Sequence, residues 1–208
     1  MLLRYKNDMI QISCNKSISI NHIEEFIQKN QLKILQSKDN QLKKRSLYNE
    51  DSMNIFSKKY PLICYYKSKQ NDYLIEEDKI IIWFKKDEFD TKYLEKIYID
   101  LTLEEIKQAY KEVYKNISKD INIDDITFKA QLMKSRYGSC IPKKRIIKLN
   151  SILARFNKDY IKTILIHELI HLSVKNHQKD FYRYINRYIP NYKQIIKTLN
   201  FETRKYVI

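Results

Sequence analysis

Histidine is scarce in this chain, at four residues in 208, and glycine is scarcer still, at one. Cysteine occurs three times, at Cys14, Cys64 and Cys140, widely separated and never as a Cys-x-x-Cys pair. So scattered a set, and an odd one, argues against a disulfide framework or a thiolate zinc site and fits a reducing cytoplasm. Long apolar runs are missing too: stretches such as Ile80 to Phe84 are far too short to span a bilayer. The first residues, Met-Leu-Leu-Arg-Tyr-Lys-Asn-Asp, lack the sustained apolar region of a signal peptide. The expectation is a cytoplasmic protein without a membrane partner.

What is present is a folding composition, 43% hydrophobic and 12% aromatic, in a chain long enough for one sizeable core, or one core plus a small accessory subdomain. The formal charge of +15 arises from 40 Lys and Arg against 25 Asp and Glu, spread along the chain. That excess favours anionic partners and weak nucleic-acid contact through a basic surface. Abundant Lys, Ile, Asn and Tyr also reads as compositional bias, which leaves many lysines as solvated surface.

Alternating apolar and polar residues predict short strands within residues 1–20. A helical pattern follows Asn21, with His22 at the surface of its first turn. Residues 37–59, with the cluster Lys43-Lys44-Arg45, read as a polar connection. From Pro61 to Lys85, three apolar runs separated by turn-like segments predict two or three antiparallel strands. Thr102 and Glu105 resemble a capping box opening a helix over 102–118. Strands are expected over 126–133 and 145–149, and the segment between them holds Gly138, at a position of positive φ or close approach. After His177 a helix runs to Pro190, and a short terminal one covers 191–201. The fold expected is α+β, with residues 1–100 a mixed strand and helix accessory region and residues 101–208 a catalytic domain.

Three of the four histidines, His167, His171 and His177, fall within residues 158–177. The stretch from Tyr160 to Val174 is mostly apolar and predicts a buried helix starting near Asn157. Positions four apart share a helix face, so His167 and His171 can turn imidazole nitrogens to one ion. Glu168 lies on the adjacent strip, the arrangement of His-Glu-x-x-His zinc hydrolases, where the glutamate serves a metal-activated water. His177 stands six residues on, beyond a turn at which Asn176 adopts the left-handed conformation, and completes a three-histidine zinc site. The rival third ligand is an acidic residue such as Asp180, preferred as a partner that orients a ligand imidazole.

The motifs Ser135-Arg136-Tyr137-Gly138-Ser139-Cys140, Ile147-Lys148-Leu149-Asn150, His167-Glu168-Leu169-Ile170-His171, Asn176-His177 and Ile189-Pro190-Asn191-Tyr192 together resemble the YgjP-like metallopeptidase-domain family, of zincin-like fold. Order and spacing agree over roughly residues 100–200, and Tyr137 stands where the family usually carries Trp. The resemblance implies His167, His171 and His177 as Zn²⁺ ligands and Glu168 as catalytic base. It also implies that the loop with Arg136, Tyr137 and Ser139 borders the substrate. Arg136 is weighed as an anion or carbonyl stabiliser against a structural ion pair. Ser139 and Asn150 read as turn residues satisfying backbone groups, and Cys140 as a small packed residue.

These readings converge on a zincin-like metallohydrolase domain with an N-terminal strand-containing subdomain, a zinc-dependent metallopeptidase that cleaves peptides through zinc-activated water. One alternative is a nucleoside triphosphate pyrophosphatase, hydrolysing a nucleotide phosphoanhydride at the same site. Another is a nucleic-acid-associated protein whose zinc is structural, which needs a fourth protein ligand.

Overall fold

A computed structural model describes residues 2–6, 9–14, 18–30 and 48–204. The chain divides into two compact units, residues 1–47 and 48–208. In the first, β1 (Leu2–Lys6) and β2 (Met9–Ser13) pair antiparallel, so the expected N-terminal strands are present. They precede α1 (Ile20–Lys29), which Ser19 caps by accepting from the His22 backbone N–H. His22 is exposed, as expected of a cap-adjacent residue. The Lys43-Lys44-Arg45 cluster lies outside the described residues.

The second unit begins with β3 (Ser52–Ile55) and β4 (Lys58–Tyr65), where the sequence suggested connection as far as residue 59. Both alternate sides, and Met53 and Ile55 are buried, which a window dominated by polar residues hides. With β5 (Asp72–Ile75) and β6 (Ile80–Trp83) they form a sheet in the order β3-β4-β6-β5. The expectation of antiparallel pairing holds for β5 with β6 but not for β4 with β6, which run parallel, Leu62 opposite Ile80. β6, with Ile80 and Ile82 fully buried, takes a central place because its β-branched run has the most apolar surface to cover.

One long helix, α2 (Thr91–Ile117), joins two cores. Tyr93, Leu94, Ile97, Tyr98 and Leu101 pack with the four-stranded sheet, and Ile106, Ala109, Val113 and Ile117 with the second core. The boundary expected at residue 100 therefore falls inside a continuous helix. Its start also differs from the expected Thr102: Asp90 is the N-cap, accepting from the N–H groups of Lys92 and Tyr93 at 3.0 and 3.4 Å. Thr102 is buried in mid-helix and donates its hydroxyl to the Tyr98 carbonyl at 2.7 Å. A threonine three residues before a glutamate mimics a cap, but the i, i+1, i+4, i+5 run from Tyr93 carries the stripe one turn after another back to Asp90.

The second core lies under a three-stranded sheet, β7 (Thr127–Gln131), β8 (Gly138–Ile141) and β9 (Ile146–Asn150), ordered β7-β9-β8. The segment around Gly138, read as linking two strands, is itself the edge strand, antiparallel to β9 with Gly138 opposite Leu149. Asn150 braces its entry: the side-chain amide donates to the carbonyls of Met133 and Arg136, and its oxygen accepts from the Met133 and Ile152 N–H groups. That is the backbone-satisfying role expected of it. The helices α3 (Asp159–Ile170), α4 (Lys179–Tyr188) and α5 (Tyr192–Thr203) complete this core. Among the described residues no helix is long and apolar enough to cross a membrane.

Candidate metal centre

The buried helix is shorter than the apolar stretch suggests, ending at Ile170 with His171 as its C-cap. The Ile170 carbonyl still accepts from the N–H groups of Ser173 and Val174, at 3.1 and 2.9 Å, so the chain tightens into a turn. Asn176 does not take the left-handed conformation; the return is made by successive tight turns. This brings His177 back over the helix end. The three Nε2 atoms form a triangle with edges of 3.1, 3.1 and 3.0 Å.

Each imidazole is held from behind. His171 Nδ1 donates to the Val174 carbonyl at 2.8 Å, which places a proton on Nδ1 and turns Nε2 toward the other two rings. His167 Nδ1 lies 2.6 Å from the Tyr192 hydroxyl. All three rings rest on the fully buried Phe181, with centroid separations of 4.9, 5.1 and 4.6 Å. Burial, together with the neighbouring imidazoles, pushes His167 down to about 3, and burial lowers His177 as well. These rings are therefore neutral near pH 7, the form in which imidazole binds a metal. Three imidazole nitrogens aimed at one point need a cation between them to relieve their mutual repulsion, so the donor set fits a metal ion. Among the described residues no fourth side chain joins the group.

Glu168 is 5% exposed, beside this triangle but outside it. Burial lifts its carboxyl to about 8, against a smaller downward pull from Arg136. Space for it exists only because residue 138 lacks a side chain. A Cβ there would lie 2.6 Å from Glu168 Oε1 and 2.9 Å from both Glu168 Cγ and Ile164 Cγ2. Of the two reasons weighed for this glycine, close approach is the operative one, since its φ is not positive.

A cavity of about 560 Å³ opens above the histidines and Glu168, and Arg136, Tyr137 and Ser139 all line it. Tyr137 directs its hydroxyl to Asn200 and Thr203 of α5, at 2.9 and 2.5 Å, and so ties this wall to the C-terminal helix. Among the described residues Arg136 forms no ion pair, so the structural pairing weighed for it is not found. Burial, reinforced by Glu168, pushes the Cys140 thiol to about 11, in keeping with a packed neutral residue. Asp180 does not orient an imidazole; it pairs with Arg183 at 3.4 Å, and Tyr192 and the Val174 carbonyl hold the rings instead.

Residues 1–202 match the model of the family described as YgjP-like, metallopeptidase domain. The chain belongs to this family. It is accordingly a metal-dependent hydrolase of a metallopeptidase family. No curated protein matches the sequence. Among solved structures, the metallopeptidase zymogen abylysin of Pyrococcus abyssi is similar at 17% identity and a TM-score of 0.41, covering 51% of this chain and 99% of its own. The metallopeptidase zymogen jannalysin of Methanocaldococcus jannaschii is similar at 21% identity and a TM-score of 0.36, covering 47% and 96%. Two residues of this YgjP-like site had no role in the sequence reading, Phe181 and Tyr192. Tyr192 stands in one of the family's motifs, and Phe181 falls on the buried stripe of α4, but their contacts with His167 are long-range.

Proposed function

We propose that the protein is a zinc peptidase in which His167, His171 and His177 hold the ion through Nε2 and Glu168 is the general base. The observation that carries this reading is the convergence of three imidazole Nε2 atoms beside a buried carboxyl whose pKa is raised to about 8. An all-imidazole set suits zinc, and three protein donors leave a position open, unlike a closed structural site. Bound zinc supplies Lewis acidity, which polarises a carbonyl and acidifies water. Glu168 takes a proton from the attacking water and returns it to the leaving amine, a cycle that favours a pKa near the working pH.

The edge strand β8 supports a peptide as substrate. Gly138, Ser139 and Cys140 line the cavity, and β8 pairs only with β9 among the described strands. An extended peptide can add to that edge through backbone hydrogen bonds, which leaves side-chain identity to the rest of the cleft.

Zinc-loaded protein incubated with unstructured peptides and, separately, nucleoside triphosphates should cleave the peptides. Pyrophosphate release without peptide cleavage would overturn the reading. His177→Ala should lose most of its zinc in metal analysis of the purified protein, and unchanged zinc would remove His177 from the ligand set. Tyr192→Phe deletes only the hydroxyl on His167 Nδ1. Loss of such an orienting contact costs about 10–100-fold in metal affinity, readable by competition with a chelator.

A further inference from the structure

Arg136 and Lys175 are the arginine and lysine that line the cavity, and Glu168 is its one carboxyl group. They reach it from separate segments, Arg136 from the residues leading into β8 and Lys175 from the turn between His171 and His177. Both backbones are anchored: the Arg136 carbonyl accepts from Asn150 Nδ2 at 2.9 Å, and the carbonyl of Val174, next to Lys175, accepts from His171. Both side chains are exposed, and among the described residues neither makes an ion pair or a hydrogen bond. Other arginines are engaged: Arg145 donates to the Asn122 and Asp124 carbonyls, Arg183 pairs with Asp180, and Arg187 pairs with Asp120.

We propose that this cleft selects peptides carrying a carboxylate near the scissile bond, recognised by Arg136 and Lys175. This rests on the peptidase reading above and adds the substrate class to it. A ligand carboxylate meets two cations with no partner to displace, and the one acidic group in the lining is buried. A planar guanidinium matches a carboxylate in two parallel hydrogen bonds, and the ammonium adds a point charge. A lysine or arginine side chain on the substrate meets the same field as repulsion. The carboxylate has two sources, an Asp or Glu side chain or the free C-terminus of a short peptide.

Peptide pairs separate these sources: Glu against Gln in one sequence with an amidated C-terminus, and a neutral sequence with a free or an amidated C-terminus. The carboxylate member of at least one pair should show kcat/KM about tenfold higher, a preference that shrinks as salt rises. In the Arg136→Gln, Lys175→Gln double variant the ratio should approach one, and Lys175→Glu should lower it below the wild-type value. The same pairs, fluorescently labelled, are titrated into zinc-loaded Glu168→Gln protein, where the preference should reappear in Kd. Equal Kd within each pair overturns the proposal. So does discrimination that survives in the double variant, or tight triphosphate binding with no discrimination among peptides. If wild-type protein cleaves no peptide, the peptidase reading fails while the Kd ratios still decide the role of the two cations.

Discussion

Glu168→Gln is expected to lower peptide hydrolysis by about 10²–10⁴-fold, the range lost with a positioned general base, while the protein keeps its zinc. The amide has the carboxyl's shape and can hydrogen-bond water, but it cannot accept a proton at neutral pH. Because Glu168 lies outside the triangle of Nε2 atoms, the ligand set is unaffected. Steady-state rates beside metal content check this, and either zinc loss or full activity contradicts the role. The same substitution carries a stability signature in chelated protein. In the folded chain burial raises the Glu168 carboxyl from 4.5 to about 8, so between those values the folded state holds a proton that the unfolded chain releases. Stability should therefore fall as pH rises through that window, by up to a few kcal/mol. Glu168→Gln removes the titration. Its urea midpoint should gain on wild type from pH 5 to pH 8, and parallel profiles would show that burial of the charge is not the cause.

Gly138→Ala should cost about 1–3 kcal/mol of stability by overpacking, and about 10²-fold in activity through displacement of the base. The added methyl meets Glu168 Oε1 at 2.6 Å and Ile164 Cγ2 at 2.9 Å, so something must move. The carboxyl end of Glu168 is the softer neighbour, since Ile164 is held in the core beneath. The loss should therefore appear in kcat more than in unfolding free energy, with zinc content unchanged. Activity within twofold of wild type would mean that the base adjusts freely. Backbone strain is not involved, because φ at this residue is not positive.

The three-histidine group is legible in the sequence because its spacing is local. Four residues make about one helical turn, so His167 and His171 share a face wherever the helix sits. The family motifs covered the same region. The helix ends before the apolar residues do, because hydrophobicity out to Val174 reports packing and not conformation: Leu172 and Val174 are partly buried on a turn closed by the Val174 carbonyl. Thr102 and Glu105 have the spacing of a cap, yet α2 starts at Thr91, because the burial that holds Thr102 in mid-helix is a tertiary fact. The parallel pairing of β4 with β6 was likewise hidden, since sequence order says nothing of which strand takes the centre.

By itself, then, the sequence determined an α+β chain with a three-histidine site and a glutamate beside it, because those residues are neighbours along one helix and its following turn. Only the tertiary structure decided what makes the site work as a unit: Phe181 under the rings, Tyr192 behind His167, and the bare Cα of Gly138 giving Glu168 its room. Apart from Phe181 with His177, those contacts join residues well separated along the chain, and packing in three dimensions, not periodicity, selects them.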